Sequence, residues 1–184
     1  TSPNASLIGN MGVIMADLAI NPNTGVGYGV NGTSLYSINM GTASPTLIGS
    51  SGGLGRFFNN ADFNSSGTLY AIGVDTTSGN DTDLFTVDIT NGTTTHVMDL
   101  PLNTFVGDIA FDTDNTTIYT VDIFHRLHRI DVSTQTVTTI GTLSPPLTFG
   151  GQIAGLEIDD LGTLFGGEGA NIDKRSRLWT ISKS

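Results

Sequence analysis

The stretch Leu84-Phe85-Thr86-Val87-Asp88 decides the fold, because apolar, aromatic and β-branched residues lead directly into a turn-forming aspartate. The same order of a leucine, a ring, a polar residue, an aliphatic residue and Asn, Asp or Ser occurs three more times: Leu35-Tyr36-Ser37-Ile38-Asn39, Leu127-His128-Arg129-Ile130-Asp131 and Leu178-Trp179-Thr180-Ile181-Ser182. Ile38 and Val87 are 49 residues apart, Val87 and Ile130 are 43 apart, and Ile130 and Ile181 are 51 apart. These spacings are typical of the blades of a β-propeller.

Two further short strands precede this stretch in every copy. The first ends in Asn or Asp before a tight turn: Leu18-Ala19-Ile20-Asn21, Ala61-Asp62-Phe63-Asn64, Ile109-Ala110-Phe111-Asp112 and Leu156-Glu157-Ile158-Asp159. The second carries an aromatic residue, at Tyr28, Tyr70, Tyr119 and Phe165. With a fourth strand after each complete copy, such as Pro45-Thr46-Leu47-Ile48-Gly49, the sequence predicts an all-β chain. Its expected fold is a four-bladed β-propeller with four-stranded antiparallel blades.

The fourth copy stops at Ser184, before its fourth strand. The N-terminal residues Ser6-Leu7-Ile8-Gly9 match Thr46-Leu47-Ile48-Gly49, so they are predicted to be the missing outer strand. The predicted division of this single domain is 1–9 for that strand, 10–49, 50–100 and 101–141 for blades one to three, and 142–184 for the rest of blade four. The strand can close the ring within its own chain or insert into a neighbouring copy, and the pattern is compatible with both.

Composition excludes several classes of function. The formal charge of −10 argues against a nucleic-acid partner, which requires clustered Lys and Arg. The chain has no cysteine, which excludes disulfides, thiol catalysis and cysteine-based zinc sites. No apolar run is long enough to span a membrane. A start at Thr1 without Met suggests a processed or excised chain.

Six Asn-x-Ser/Thr sequons bear on the compartment. They occur at Asn4, Asn31, Asn64, Asn80, Asn91 and Asn115. They are candidate glycosylation sites of an extracellular or cell-surface protein, although the same residues are also ordinary turn formers.

Carboxylates on the first strands form the candidate metal site. In the propeller each blade brings one of them towards the central axis: Asp17, Asp62, Asp108 and Glu157. Crowded carboxylates require raised pKa values or a cation, and Ca²⁺ accepts several oxygen ligands. The alternative is that these groups accept hydrogen bonds from backbone N–H groups.

Other candidate residues are fewer. Phe57, Phe105 and Phe149 lie between blades, where they could stack on a sugar or dock a partner, or pack against the ring. We call the set of residues at equivalent positions in the four copies a column. His128 stands in the same column as Tyr36 and Phe85, which favours a packing role. No Ser-His-Asp pattern is visible, and no catalytic residue is predicted.

The pattern resembles the repeat propellers of secreted and cell-surface bacterial proteins, the lactonase-like and YVTN-like group. The resemblance rests on segments that recur along the whole chain: Asn21-Pro22-Asn23-Thr24-Gly25, Tyr28-Gly29-Val30, Leu35-Tyr36-Ser37-Ile38-Asn39 and Leu47-Ile48-Gly49. It implies the propeller architecture, in a group that includes enzymes, lectins and structural proteins.

Three functions follow as hypotheses. The first is a non-enzymatic extracellular structural or surface protein that binds further copies of itself. The second is a lectin-like module that binds a glycan or a protein. The third is a metal-dependent, lactonase-like hydrolase built on the axial carboxylates.

Overall fold

The computed structural model of the chain describes residues 6–51, 56–75, 81–102, 106–144, 152–169 and 177–184. Within these ranges the chain forms fifteen β-strands and no helix. Over the same ranges, therefore, no helix is long and apolar enough to cross a membrane.

The strands form four consecutive sheets, which are the four blades. Blade 1 consists of β1 (Asp17–Ile20), β2 (Gly27–Asn31), β3 (Ser34–Asn39) and β4 (Ser44–Ser50). Blade 2 consists of β5 (Arg56–Phe63), β6 (Leu69–Asp75), β7 (Asp81–Val87) and β8 (Thr94–Leu100). Blade 3 consists of β9 (Val106–Phe111), β10 (Thr117–Asp122), β11 (Arg126–Asp131) and β12 (Thr136–Thr142). Blade 4 consists of β13 (Ile153–Ile158), β14 (Leu164–Glu168) and β15 (Arg177–Ile181).

Within each blade the strands pair in chain order, and every pair is antiparallel. This topology confirms the predicted all-β, four-bladed β-propeller. In the described residues blade 4 has three strands, so β15 forms its outer edge.

Asparagine and aspartate side chains shape the turns after the third strand of blades 1 to 3. The side-chain oxygen of Asn39 accepts the N–H of Gly41, that of Asp88 accepts the N–H of Thr90, and that of Asp131 accepts the N–H of Ser133. The fifth residue of each turn has a positive φ, and these residues are Ala43, Gly92 and Gln135. The repeated Asx chemistry explains why these three copies form similar hairpins after their third strands.

The hydrophobic core lies between neighbouring blades. One cluster joins blades 1 and 2 around Leu35, Phe58 and Phe63, a second joins blades 2 and 3 around Leu84 and Phe111, and a third joins blades 3 and 4 around Leu127 and Leu156. Blades 2 and 3 therefore each have one face towards the preceding blade and one towards the next. Among the described residues no corresponding cluster joins blade 4 to blade 1.

Residues 6–9 lie away from the position that closure of the ring within the same chain would give them. They form no strand, and with Leu18, Ile38 and Met40 they line a groove on blade 1. The Thr42 carbonyl lies so close to Gly9 that a side chain there would collide with it. Ser6, Leu7, Ile8 and Gly9 therefore lie against blade 1 and do not pair with β15 in this structure, so closure in cis is not formed.

Candidate functional site

The first strands of all four blades surround a central cavity of about 440 Å³. Asp17, Asp62, Asp108 and Glu157 all line it. The structure therefore brings the four carboxylates of the candidate metal set to one cavity. Binding of Ca²⁺ there stays a prediction.

Three of these carboxylates join one blade to the next. Each accepts the N–H of the residue that follows it and a second N–H from the first strand of the following blade. The second bonds run from Ala61 to Asp17 (2.8 Å), from Phe111 to Asp62 (2.9 Å) and from Leu156 to Asp108 (2.7 Å). This is the backbone-binding alternative of the sequence analysis, and we call these three bonds the carboxylate staples.

Asn60 occupies the column of Asp17 and Asp108 in blade 2 and also bonds across to the next blade. Its side-chain amide donates to the Gly107 carbonyl over 2.9 Å, while its buried Oδ1 accepts no hydrogen bond within the described residues. Asn60 therefore repeats the staple with the donor and acceptor exchanged.

Burial and mutual repulsion raise the pKa values of these four carboxyl groups. Burial, and to a lesser extent the charges of Glu157 and Asp17, raises the pKa of Asp62 to about 7. Burial and the charge of Asp17 raise the pKa of Asp108 to about 8. Burial also raises the pKa of Asp17 and of Glu157. Near neutral pH the cavity therefore holds fewer negative charges than its four carboxylates suggest.

Metal-binding geometry in the described residues lies elsewhere. No three of the axial carboxylates bring oxygen atoms within 4.8 Å of one another, whereas ligand atoms of Asp83, His96 and Asp99 in blade 2 do so. Within this group His96 Nε2 lies 3.0 Å from Asp99 Oδ1 and 4.0 Å from Asp83 Oδ2.

Two buried acid–arginine clusters were not predicted from the sequence. In blade 3 the buried carboxylate of Asp122 lies 2.6 Å from Arg126 Nη2 and 3.0 Å from His128 Nε2. In blade 4 the buried Glu168 lies 3.3 Å from Arg177 Nη1 and accepts the indole N–H of Trp179 over 3.1 Å. The sequence does contain a signal for both clusters, because in blades 3 and 4 an acidic residue ends the second strand and an arginine begins the third.

The remaining predicted residues are spread over the molecule. The side chains of Phe57, Phe105 and Phe149 lie outside the described residues, as do Asn4 and Asn80. Asn91 is exposed in the β7–β8 turn. Asn64 is buried and its side chain accepts the N–H of Thr68, so a glycan at Asn64 would require this turn to open. Asn31 and Asn115 are half-buried.

An open groove runs beside the outer edge of the last blade. It has a volume of about 200 Å³ and lies between blade 3 and β15. Its apolar lining comes from Leu127, Ile140, Leu143, Trp179 and Ile181. We call it the edge groove, and β15 forms one of its walls.

Solved structures of low sequence identity share this fold. A protein described as TolB from Agrobacterium tumefaciens is 13% identical, with a TM-score of 0.61 over 91% of this chain and 58% of that one. A PQQ-bound aldose sugar dehydrogenase from Streptomyces coelicolor is 18% identical, with a TM-score of 0.59 over 90% of this chain and 59% of that one. A Bacteroides thetaiotaomicron protein of unknown function is 12% identical, with a TM-score of 0.61 over 91% and 47%.

The chain thus spans about half the length of the solved structures it matches. At these identities the likeness shows the fold alone. A search of curated protein sequences found no significant match. One family model matches residues 17–155, which is most of the chain, and so the protein belongs to the family described as a repeat of unknown function, DUF6923.

Proposed function

We propose that this protein is a non-enzymatic, extracellular or cell-surface structural propeller whose copies associate by strand addition. In this mechanism the N-terminal residues of one copy pair with β15 of another and become the fourth strand of its last blade. Backbone hydrogen bonds along the strand edge supply affinity, and apolar side chains in the edge groove supply register.

The observation that carries the proposal is the pairing state of blade 4. Blades 1 to 3 each have an outer strand, whereas β15 pairs with no strand on its outer side among the described residues. An exposed strand edge beside an apolar groove is a docking site for an extended segment.

The chain also carries a segment suited to that edge. Leu7 is 90% exposed and Ile8 is 58% exposed, so neither is committed to the core of its own chain. Their sequence matches the outer strand of blade 1, which already pairs with a third strand of the same type. The same contacts are therefore available to a copy that inserts residues 6–9 beside β15.

The alternatives draw less support from the geometry. A hydrolase would need the axial carboxylates for a metal or for proton transfer, but Asp17, Asp62 and Asp108 each already bind two backbone N–H groups. A lectin would depend on Phe57, Phe105 and Phe149, whose side chains lie outside the described residues. Metal content measured by mass spectrometry on the purified protein tests the hydrolase, because stoichiometric metal would favour it.

Deletion of residues 1–9 tests strand addition. We expect the intact protein to form particles larger than one chain by light scattering, and the deletion variant to remain folded by circular dichroism but to be monomeric. Adding a synthetic peptide of residues 1–9 to the deletion variant should raise its melting temperature by filling the edge groove.

A length-preserving control distinguishes strand pairing from mere truncation. Replacement of Leu7 and Ile8 by Asp keeps the backbone but removes the apolar contacts, so it should also weaken association. A deletion variant that associates like the intact protein would exclude this mechanism.

A further inference from the structure

The flat face of blade 1, as distinct from the edge of β15, is one half of an interface that the chain forms three times internally, and among the described residues no blade covers it. Ile20 stands in the column of Phe63, Phe111 and Ile158. Those three are 6%, 8% and 9% exposed because the preceding blade covers them, whereas Ile20 is 51% exposed. Leu18 lies two residues before Ile20 on the same side of the strand and is 41% exposed. The equivalent residue of blade 3, Ile109, is buried.

The last blade presents the other half of the same interface. Leu178 stands in the column of Leu35, Leu84 and Leu127, which are each covered by the following blade. Those three are between 0% and 2% exposed, whereas Leu178 is 77% exposed. The two uncovered faces therefore have the residues that pack against each other at every internal boundary.

The aromatic column supports the same match. Tyr28 packs on Phe63 with ring centroids 5.4 Å apart, and Tyr70 packs on Phe111 at 4.9 Å. Phe165 is the next member of this column in blade 4, and its expected counterpart on the following blade is Ile20. The polar pattern agrees with this match. Asp62 accepts the N–H of Phe111 on the following blade. Glu157 is the equivalent of Asp62 in blade 4, and Ile20 is the equivalent of Phe111 in blade 1.

We propose that blade 4 of one copy stacks face to face on blade 1 of a second copy, head to tail, in the register of the internal blade boundaries. Phe165 and Leu178 of one copy then cover Leu18 and Ile20 of the other, and Glu157 reaches the Ile20 N–H as a fourth staple. Such a heterologous contact repeats from copy to copy and ends only where a ring closes.

Chain connectivity explains why one partner would use both the edge and the face; this step rests on the proposed strand addition. Seven residues, 10–16, separate the donated segment from β1. Inside the chain, five residues separate β4 from β5, five separate β8 from β9, and ten separate β12 from β13. A copy that donates residues 6–9 to β15 therefore brings its own blade 1 beside that blade 4, as consecutive blades are joined within one chain.

In this structure residues 6–9 and Met40 lie on the blade 1 face instead. Met40 also packs over Gly27, and Met15 packs over Gly29. Flexible methionine side chains fill irregular space and repack readily. On assembly residues 6–9 leave the face of blade 1, and that face then becomes accessible to blade 4 of the other copy.

Site-specific crosslinking tests the stacking directly, because the chain has no native cysteine. One protein carries Ile20→Cys and a second carries Leu178→Cys, and the two are mixed and treated with a short bis-maleimide. We expect a covalent heterodimer, and little product when either protein is replaced by Leu161→Cys. Leu161 is 90% exposed in the β13–β14 turn, so it reports random collision.

A substitution series gives the energetic test. Leu178→Asp should raise the dissociation constant by about tenfold or more, because a charge cannot replace the buried leucine. Leu161→Asp makes the same chemical change away from the interface and should leave association unchanged. Because Leu178 is largely exposed in the single chain, the melting temperature of the isolated variant should stay near that of the unmodified protein.

The outcomes separate the two proposals. If the 1–9 deletion associates normally while Leu178→Asp does not, strand addition fails and stacking stands. If the deletion dissociates but Ile20→Cys and Leu178→Cys do not crosslink between copies, stacking fails. A double-cysteine chain that crosslinks only within itself, or an intact protein that is monomeric at all concentrations, would overturn head-to-tail stacking.

Discussion

Asp122 and Asp108 are both buried aspartates of blade 3, yet their environments push their pKa values in opposite directions. Burial alone would raise both. At Asp122, hydrogen bonds from the Arg126 backbone, from His128 and from the Arg126 side chain outweigh burial, and the pKa is lowered. At Asp108 the partners are two backbone N–H groups, burial and the negative charge of Asp17 outweigh them, and the pKa rises to about 8.

The difference shows that the hydrogen-bond partners of Asp122 outweigh its burial, whereas those of Asp108 do not. The acid–arginine cluster lies within blade 3 and favours the ionised form of Asp122, whose charge Arg126 balances. The carboxylate staple lies between blades and keeps its hydrogen-bond acceptor while tending to lose its charge. One aspartate type thus serves two structural purposes, which substitutions and pH can separate.

The largest expected effect is the loss of the charged cluster. Asp122→Asn removes the partner of Arg126 and His128 inside the fold, and it should lower the free energy of unfolding by about 3 kcal/mol. Urea denaturation at pH 7 measures this. Asp99→Asn, at a side chain that is 87% exposed, is the matched control and should change stability by less than about 0.5 kcal/mol. Equal stability of the two variants would contradict the importance assigned to the cluster.

Glu168→Gln should have a smaller effect of the same kind, about 2 kcal/mol. Its contacts to Arg177 are longer, at 3.3 and 3.4 Å, and an amide oxygen can still accept the Trp179 indole N–H. The same denaturation series measures the loss, and tryptophan fluorescence reports the site directly because Trp179 is the single tryptophan. A variant as unstable as Asp122→Asn would show that the two clusters are not ranked by their contact lengths.

The sequence predicted the features that repeat in every copy. It did not predict the contacts that depend on how neighbouring blades and strands are placed relative to one another. Strand order, turn positions and the aromatic column follow from a short alternating pattern that occurs four times. The staples joining Asp62 to Phe111 and Asp108 to Leu156 required knowledge of how neighbouring blades are offset. For His128 a packing role was predicted, and the residue is indeed buried, but its bond to Asp122 was missed because the two residues lie on different strands.

The position of residues 6–9 could not be predicted from the sequence pattern, for a different reason. Their match to the outer strand of blade 1 indicates what they can pair with, but it does not rank β15 of the same chain, β15 of another copy, or a resting position on blade 1. Only the relative positions of the chain ends decide among them, and those positions are long-range properties of the fold.

At a fixed acidic pH the loss of one staple bond gives the smallest expected effect of the substitutions, and the staples have the opposite pH dependence from the cluster. A lowered pKa at Asp122 contributes stability that is present above its unfolded value of 3.8 and is lost as the pH falls. A raised pKa at Asp108 has the reverse sign, because between about pH 4 and pH 8 the folded state holds a proton that the unfolded state has released. Stability contributed by Asp108 should therefore decline as the pH rises, by at most about 1.4 kcal/mol per pH unit.

Asp108→Asn isolates this contribution, since asparagine has no charge at any pH. The variant loses one backbone hydrogen bond and should be less stable than the intact protein at pH 5, but the difference should shrink as the pH rises to 9. Denaturant titrations at several pH values measure the trend, and Asp160→Asn, at an exposed turn residue, serves as the control. A difference that stays constant from pH 5 to pH 9 would show that Asp108 is ionised throughout, and the contrast with Asp122 would then lie in hydrogen bonding and not in charge.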